Sequence, residues 1–192
     1  LLYDDAQSIY GDKRSRAFSF KSVGIAAAGR TKILRRNYRN TREILTCARA
    51  FAEALLSPVD ADEDGVPLIF PEAGDRSGAR PRFAQLASLQ LEVAHIAREL
   101  KEQHAAGVPW NEMAVFYTAP FVADEIAQAL QAAGVPFDWL KDAASRAFDP
   151  SRPTVKLMTT HSSKGLQYRV AIVGGIGYWP YPAGSEELQA RL

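Results

Sequence analysis

The sequence predicts an α/β fold with a mostly parallel central sheet and helices on both faces. Three observations carry this. Short apolar strands alternate with helical stretches of roughly 12 to 20 residues, the pattern of strand–helix–strand units. Composition is that of an ordinary globular chain, 47% hydrophobic and 23% charged over 192 residues. That length suffices for one sizeable α/β domain, or one with an insertion. Finally, the polar loop "TTHSSKGLQY" separates the apolar runs "VKLM" and "VAIVGG". A loop at the carboxyl end of a strand is where such sheets bind ligands.

Taken in order, "LLY" reads as the end of a short strand, and residues 11–31 as an irregular, cation-rich connection. "KILRR" is a strand candidate. The helix that follows runs through "NYRNTREILTCARAFAEALL", with Asn40 or Thr41 as N-cap and Glu43 in its first turn. "SPVDADEDGVP" is a surface loop by its Pro, Gly and Asp content. "PLIF" and "PRFAQL" are short strand candidates flanking "PEAGDRSGA". "SLQLEVAHIARELKEQHAAG" is an amphipathic helix, with Leu91, Ala94, His95, Arg98 and Leu100 around its turns and Gly107 beyond its end. "EMAVFYT" is a buried strand, "FVADEIAQALQAAG" a helix closed by Gly134, and "VPFDWL" a short strand. A polar linker, "KDAASRAFDPSRPT", leads to the last two strands.

The longest strongly apolar stretch, Val170 to Trp179, is about half of what a membrane span needs. No basic-then-apolar leader opens the chain, and one cysteine allows no internal disulfide. These features lead to the expectation of a cytoplasmic protein with no membrane partner. Opening on Leu-Leu-Tyr rather than Met suggests a piece of something longer. Cys47 shares a helix face with Ile44, Ala48, Phe51 and Leu55, which predicts a buried apolar role. Net charge is +1, but Gly11–Arg49 holds eleven Lys and Arg against two acids, and Ala50–Asp75 holds seven acids without a cation. A basic block beside an acidic one suggests a local polyanion site; a solvated, charge-rich helix face would look the same.

Three segments place a polar, cationic or aromatic cluster after a short strand: "YDDAQSIYG", "RRNYRNT" and "TTHSSKGLQY". The first could equally be an Asx-capped helix start and the second a solvated turn. In the third, Lys164 and Gly165 are expected at a helix N-terminus, where free N–H groups and the dipole favour an anion.

Together, in this order, the three resemble the motifs of superfamily 1 DNA helicases of the UvrD/Rep type, in their second, C-terminal RecA-like motor domain. Asp4 or Asp5 through Gly11 matches D-x-x-Q-S-I-Y-G. Leu34, Asn37, Tyr38 and Arg39 match L-x-x-N-Y-R-[ST]. Leu157 to Tyr168 matches L-M-T-x-H-x-x-K-G-L-E-[FY] with one change, followed by Val170–Gly174 and Pro180. The resemblance spans almost the whole chain and implies a three-layer RecA-like fold in a single domain, without a large inserted accessory subdomain.

It also implies roles. Gln7 corresponds to the glutamine that senses the nucleotide γ-phosphate, and Tyr10 to an aromatic beside single-stranded DNA. Tyr38 resembles the tyrosine stacked on adenine, and Arg39 the arginine finger. Thr159 and His161 would touch the DNA backbone, and Lys164 and Gly165 would shape the loop beneath the nucleotide. The implied cofactor is ATP with Mg²⁺, the metal held mainly by the first motor domain. The implied partners are single-stranded DNA and that first domain, with 3′ to 5′ movement. No other metal site is expected, because His95 and His104 lack Cys or carboxylate partners at ligand spacing. Trp110, Trp139 and Trp179 are expected to pack.

Some residues depart from the pattern. Gln167 stands where the family has Glu approaching the nucleotide sugar. Asp12 and Lys13 follow Tyr10-Gly11 in place of a second aromatic. G-x-x-x-x-G-K-[ST] and an apolar strand ending in Asp-Glu are absent, as is the family's last arginine motif, so the chain alone is expected neither to hydrolyse ATP nor to unwind DNA. Competing readings are a catalytically inactive RecA-like module that binds nucleic acid or a partner, and the motor of a helicase-nuclease. A small-molecule enzyme on a doubly wound sheet lacks any Gly-rich dinucleotide turn.

Overall fold

The computed structural model describes Gly24 and residues 36–55, 72–117, 119–141 and 148–178. The expected first strand, the 11–31 connection apart from Gly24, "PLIF", the acidic loop and Trp179 lie outside these residues, as do Gln7 and Tyr10. The chain divides into two compact units, Leu1–Ala84 and Gln85–Leu192.

In the first unit, β1 (Arg36–Asn37) pairs in parallel with β2 (Glu72–Ala73), Arg36 opposite Glu72 and Asn37 opposite Ala73. Helix α1 (Arg42–Leu55) follows β1. Of the two expected caps, Thr41 is the one used: its Oγ1 accepts from Ile44 N at 3.4 Å and its carbonyl from Leu45 N at 3.0 Å. The predicted apolar face is corrected. Leu45 is the buried residue, Cys47 is half-buried, and Ile44 and Phe51 stay exposed. "PRFAQL" is not a strand either. It runs without ladder partners, Pro81 offering no donor, and Phe83 meets Phe51 at 5.8 Å between ring centroids. The strand that does form, Glu72–Ala73, lies inside "PEAGDRSGA", between the two strand candidates.

The second unit is built on a four-stranded, all-parallel sheet in the order β4-β5-β3-β6. Its strands are β3 (Met113–Tyr117), β4 (Phe137–Trp139), β5 (Val155–Thr159) and β6 (Val170–Gly174). Helix α2 (Leu89–Ala105) begins at Ser88, whose Oγ accepts from Leu91 N at 3.3 Å. Its buried stripe is Val93, Ile96, Ala97 and Leu100, spaced i, i+3, i+4, i+7. Of the residues read around its turns, Leu91, Ala94, His95, Arg98 and Leu100, only Leu100 belongs to this stripe. The expected face would have buried an imidazole and a guanidinium, which water solvates far better than a core does; Leu91 instead remains 54% exposed. Helix α3 (Pro120–Ala132) buries Val122, Ala123, Ile126, Ala127 and Leu130.

Both helices pack on the face carrying Met113, Val115, Tyr117, Val155 and Leu157, forming one core. Each large aliphatic side chain there contributes roughly 1.5–3 kcal/mol. On the opposite face Ala114, Lys156 and Met158 are fully buried, so β5 is covered on both sides. The connection from β5 to β6 passes across that face: Tyr168 meets Phe116 edge-on at 6.1 Å, and Arg169 N donates to Glu112 O at 2.9 Å.

Candidate functional site

The carboxyl ends of three strands line up, because Tyr117 pairs with Thr159 on one side and Gly174 on the other. The loop "TTHSSKGLQY" leaves this edge from β5, as expected. Its form is not as expected: residues 160–165 are successive turns, and no helix starts at Lys164. Thr159 organises the loop. Its Oγ1 accepts from Ser162 N at 3.1 Å and lies 2.9 Å from Ser162 Oγ, while its carbonyl accepts from Ser163 N at 3.2 Å. Lys164 N donates to His161 O at 3.3 Å, and Leu166 N to Ser163 O at 2.9 Å. Gly165 has φ +86° with open space around it, so backbone conformation rather than crowding calls for glycine.

These bonds occupy the amides of Ser162, Ser163, Lys164 and Leu166 within the loop itself. No helix N-terminus forms there to offer the free N–H groups that the expectation invoked. Among the side chains, His161, Lys164 and Gln167 are exposed and Thr159 is half-buried.

In the first unit a second turn joins β1 to α1. Asn37 Oδ1 accepts from Arg39 N at 2.9 Å and Asn40 N at 3.0 Å, an Asx-turn that only a short polar side chain makes. It lifts Tyr38 outward at 68% exposure, with Arg39 exposed beside it. The segment after β2 is bound to this turn. Gly74 N donates to Asn37 O at 3.0 Å, Arg42 N to Arg76 O at 2.9 Å, and Arg76 Nη1 to Arg39 O at 3.2 Å. Glu43 accepts from Ser77 Oγ at 2.5 Å and Gly78 N at 2.9 Å. The Ser77 hydroxyl, then the backbone amides of Glu43 and Gly78, hold the Glu43 carboxyl down at about 2. Sequence reasoning used Glu43 only as a first-turn acid. The glycine-bracketed "GDRSG" was the available signal.

A second group missed from the sequence lies at the start of β5. Lys156 is fully buried, and its three N–H donors are shared among Asp138 Oδ2 (2.9 Å), Thr154 Oγ1 (2.8 Å), Asp149 O (2.9 Å) and Arg152 O (3.2 Å). Burial works to raise the Asp138 carboxyl, but hydrogen bonds from Thr154, Lys156 and Arg152 outweigh it and hold it below the ordinary carboxylate range. This clasp ties residues 149–154, read as a plain linker, to the β4–β5 edge.

The remaining expectations can be placed. His104 donates from Nδ1 to Val108 O at 2.9 Å and stacks on Trp110, while His95 Nδ1 accepts from Arg98 at 2.6 Å. Trp139 is half-buried and donates to Tyr117 Oη at 3.2 Å. Among the described residues no cluster of His, Cys, Asp and Glu could hold a metal, and no helix is long and apolar enough to cross a membrane.

A protein-family model described as the UvrD-like helicase C-terminal domain matches residues 33–149. The chain belongs to that family. The match takes in the Asn37–Arg39 turn and its Gly74–Gly78 support, runs across both units and ends before the Thr159 loop. The parallel sheet and helices of this UvrD-like helicase C-terminal domain agree with the RecA-like α/β class that the motifs implied. Comparison with curated proteins finds no match.

Proposed function

We propose that this UvrD-like domain serves as the second motor domain of an ATP-dependent DNA helicase or translocase. The observation that carries the reading is the Asn37–Arg39 turn. It lies inside the family match and presents an exposed tyrosine and an exposed arginine side by side at a strand end. An exposed aromatic face suits a purine, and a guanidinium suits a phosphate. Tyr38 stacks on the adenine and Arg39 acts as the finger on the transferring phosphoryl, with Gln7 sensing the γ-phosphate. Lys164, Gly165 and Gln167 serve the nucleotide from the second unit's loop. Tyr10, Thr159 and His161 meet single-stranded DNA, where an aromatic stack is worth about 1–3 kcal/mol per base.

ATP with Mg²⁺ is the implied cofactor, and a first RecA-like motor domain of the same protein is the implied partner that holds the metal. In this reading Arg39 and Gln7 are drawn toward the phosphates as the two motor domains close and are released when they reopen. A RecA-like module that binds nucleic acid without catalysis is the second reading. Gln167 in place of an acid favours it, as does the Thr159 loop, four of whose amides are bonded within the loop.

The deciding experiment measures ATP turnover by the full-length protein, with and without single-stranded DNA, for wild type and Arg39→Ala. DNA-stimulated turnover that falls by roughly 10³-fold or more in Arg39→Ala, with nucleotide still bound, is the expected result. Absence of DNA-stimulated turnover in wild type would transfer the case to the inactive module.

A further inference from the structure

We propose that the Gly74–Gly78 segment is a brace that positions the Tyr38–Arg39 turn for its ligand, with Arg76 and Glu43 as its positioning side chains. The proposal rests on the nucleotide-facing reading of that turn. An exposed turn between a two-residue strand and a helix start has little of its own to hold it. Few buried contacts and solvent-facing hydrogen bonds are the marks of a segment that opens locally.

Here five hydrogen bonds tie the turn to a segment more than thirty residues away, and they bracket Arg39. Gly74 binds before it at Asn37 O, Arg76 binds at the Arg39 carbonyl itself, and the Arg42 amide and Glu43 carboxylate are held just after it. Both ends of the Arg39 peptide are thus engaged, its N–H by Asn37 Oδ1 and its C=O by Arg76. Among the described residues no ion pair is made by the Arg39 guanidinium. A fixed backbone carrying an uncommitted cation is the arrangement a phosphate-directed arginine needs.

The glycines at the ends of the brace make the approach possible. A Cβ at Gly74 would lie 2.8 Å from Asn37 O, and one at Gly78 2.9 Å from Thr41 Cγ2. A side chain at Gly74 would push the segment off the turn, and one at Gly78 would displace the Thr41 side chain.

The test is a double-mutant cycle on DNA-stimulated ATP turnover by the full-length protein, crossing Arg76→Ala with Arg39→Ala. Arg76→Ala is expected to lower kcat roughly ten- to a hundredfold, with a smaller change in KM for ATP and an unchanged unfolding midpoint. Arg76→Lys, which still offers an N–H to the carbonyl, should recover most of the loss. In the Arg39→Ala background Arg76→Ala should change kcat by less than about twofold, because it acts through Arg39. An equal loss in both backgrounds, or wild-type turnover in Arg76→Ala beside an impaired Arg39→Ala, overturns the brace.

If Arg39→Ala itself leaves turnover intact, the finger reading fails, and amide exchange then decides the brace separately. In the 192-residue chain, the Arg39 and Asn40 amides should exchange roughly tenfold faster in Arg76→Ala, the equivalent of one lost charge-assisted hydrogen bond. Unchanged exchange overturns the proposal on its own.

Discussion

Lys156 is the charged residue that the described core encloses completely, with four oxygens within 3.2 Å of its Nζ. In the sequence it passes as one residue of the apolar run "VKLM". Only the return of residues 149–154 over the sheet edge, and Asp138 directly opposite in register, turn that position inward. Removing one partner of a buried pair leaves the other uncompensated. Lys156→Ala is therefore expected to destabilise the second unit by about 3 kcal/mol, read by chemical denaturation. Lys156→Met, which restores most of the volume but still leaves Asp138 unpaired, should cost nearly as much; a much smaller loss than that of Lys156→Ala would show that packing rather than pairing matters there. Legibility at this scale was uneven for the same reason. Tyr38 and Arg39 were readable because Asn37 and Thr41 make local bonds to nearby amides, whereas Arg76 and Ser77 act on residues more than thirty positions away.

At the scale of elements, local chemistry predicted helices and central strands well. α2, α3, β3, β5 and β6 lie close to where periodicity and turn residues placed them, with Gly107 and Gly134 just past the helix ends. It failed where a partner decides. "PRFAQL" has strand-like residues but no neighbouring strand among the described residues, and two residues of "PEAGDRSGA" became β2 because β1 lies alongside. The α2 stripe shifted because the sheet and α3 select which overlapping face is buried. The start of α1 offers a pH-dependent test. The folded Glu43 carboxyl lies at about 2 against an ordinary 4.5, so the unfolded chain takes up this proton more readily than the folded one. Its stabilisation is complete above about 4.5 and is lost progressively as pH falls toward 2. Glu43→Gln should flatten the dependence of the unfolding midpoint on pH across that window, and an unchanged slope would mean that Ser77 and Gly78 do not hold the carboxylate in solution.

For the molecule as a whole, stability of the second unit follows from one core beneath α2 and α3. Ile126 is fully buried there, its Cδ1 reaching toward Gly174 of β6. Ile126→Ala is expected to cost roughly 2–5 kcal/mol in denaturant unfolding; a loss below about 1 kcal/mol would indicate that the core closes over the gap. The sequence by itself determined the α/β class, the parallel sheet, the motif order that places the chain with UvrD-like helicases, and the two turns that carry candidate chemistry. Each of these depends on hydrophobic period or on side chains acting within a few residues. Tertiary structure alone decided that Lys156 is buried against Asp138 and that Gly74–Gly78 grips the Arg39 turn. Those outcomes depend on which distant donors and acceptors are brought within about 3 Å of one another, a distance that chain order does not encode.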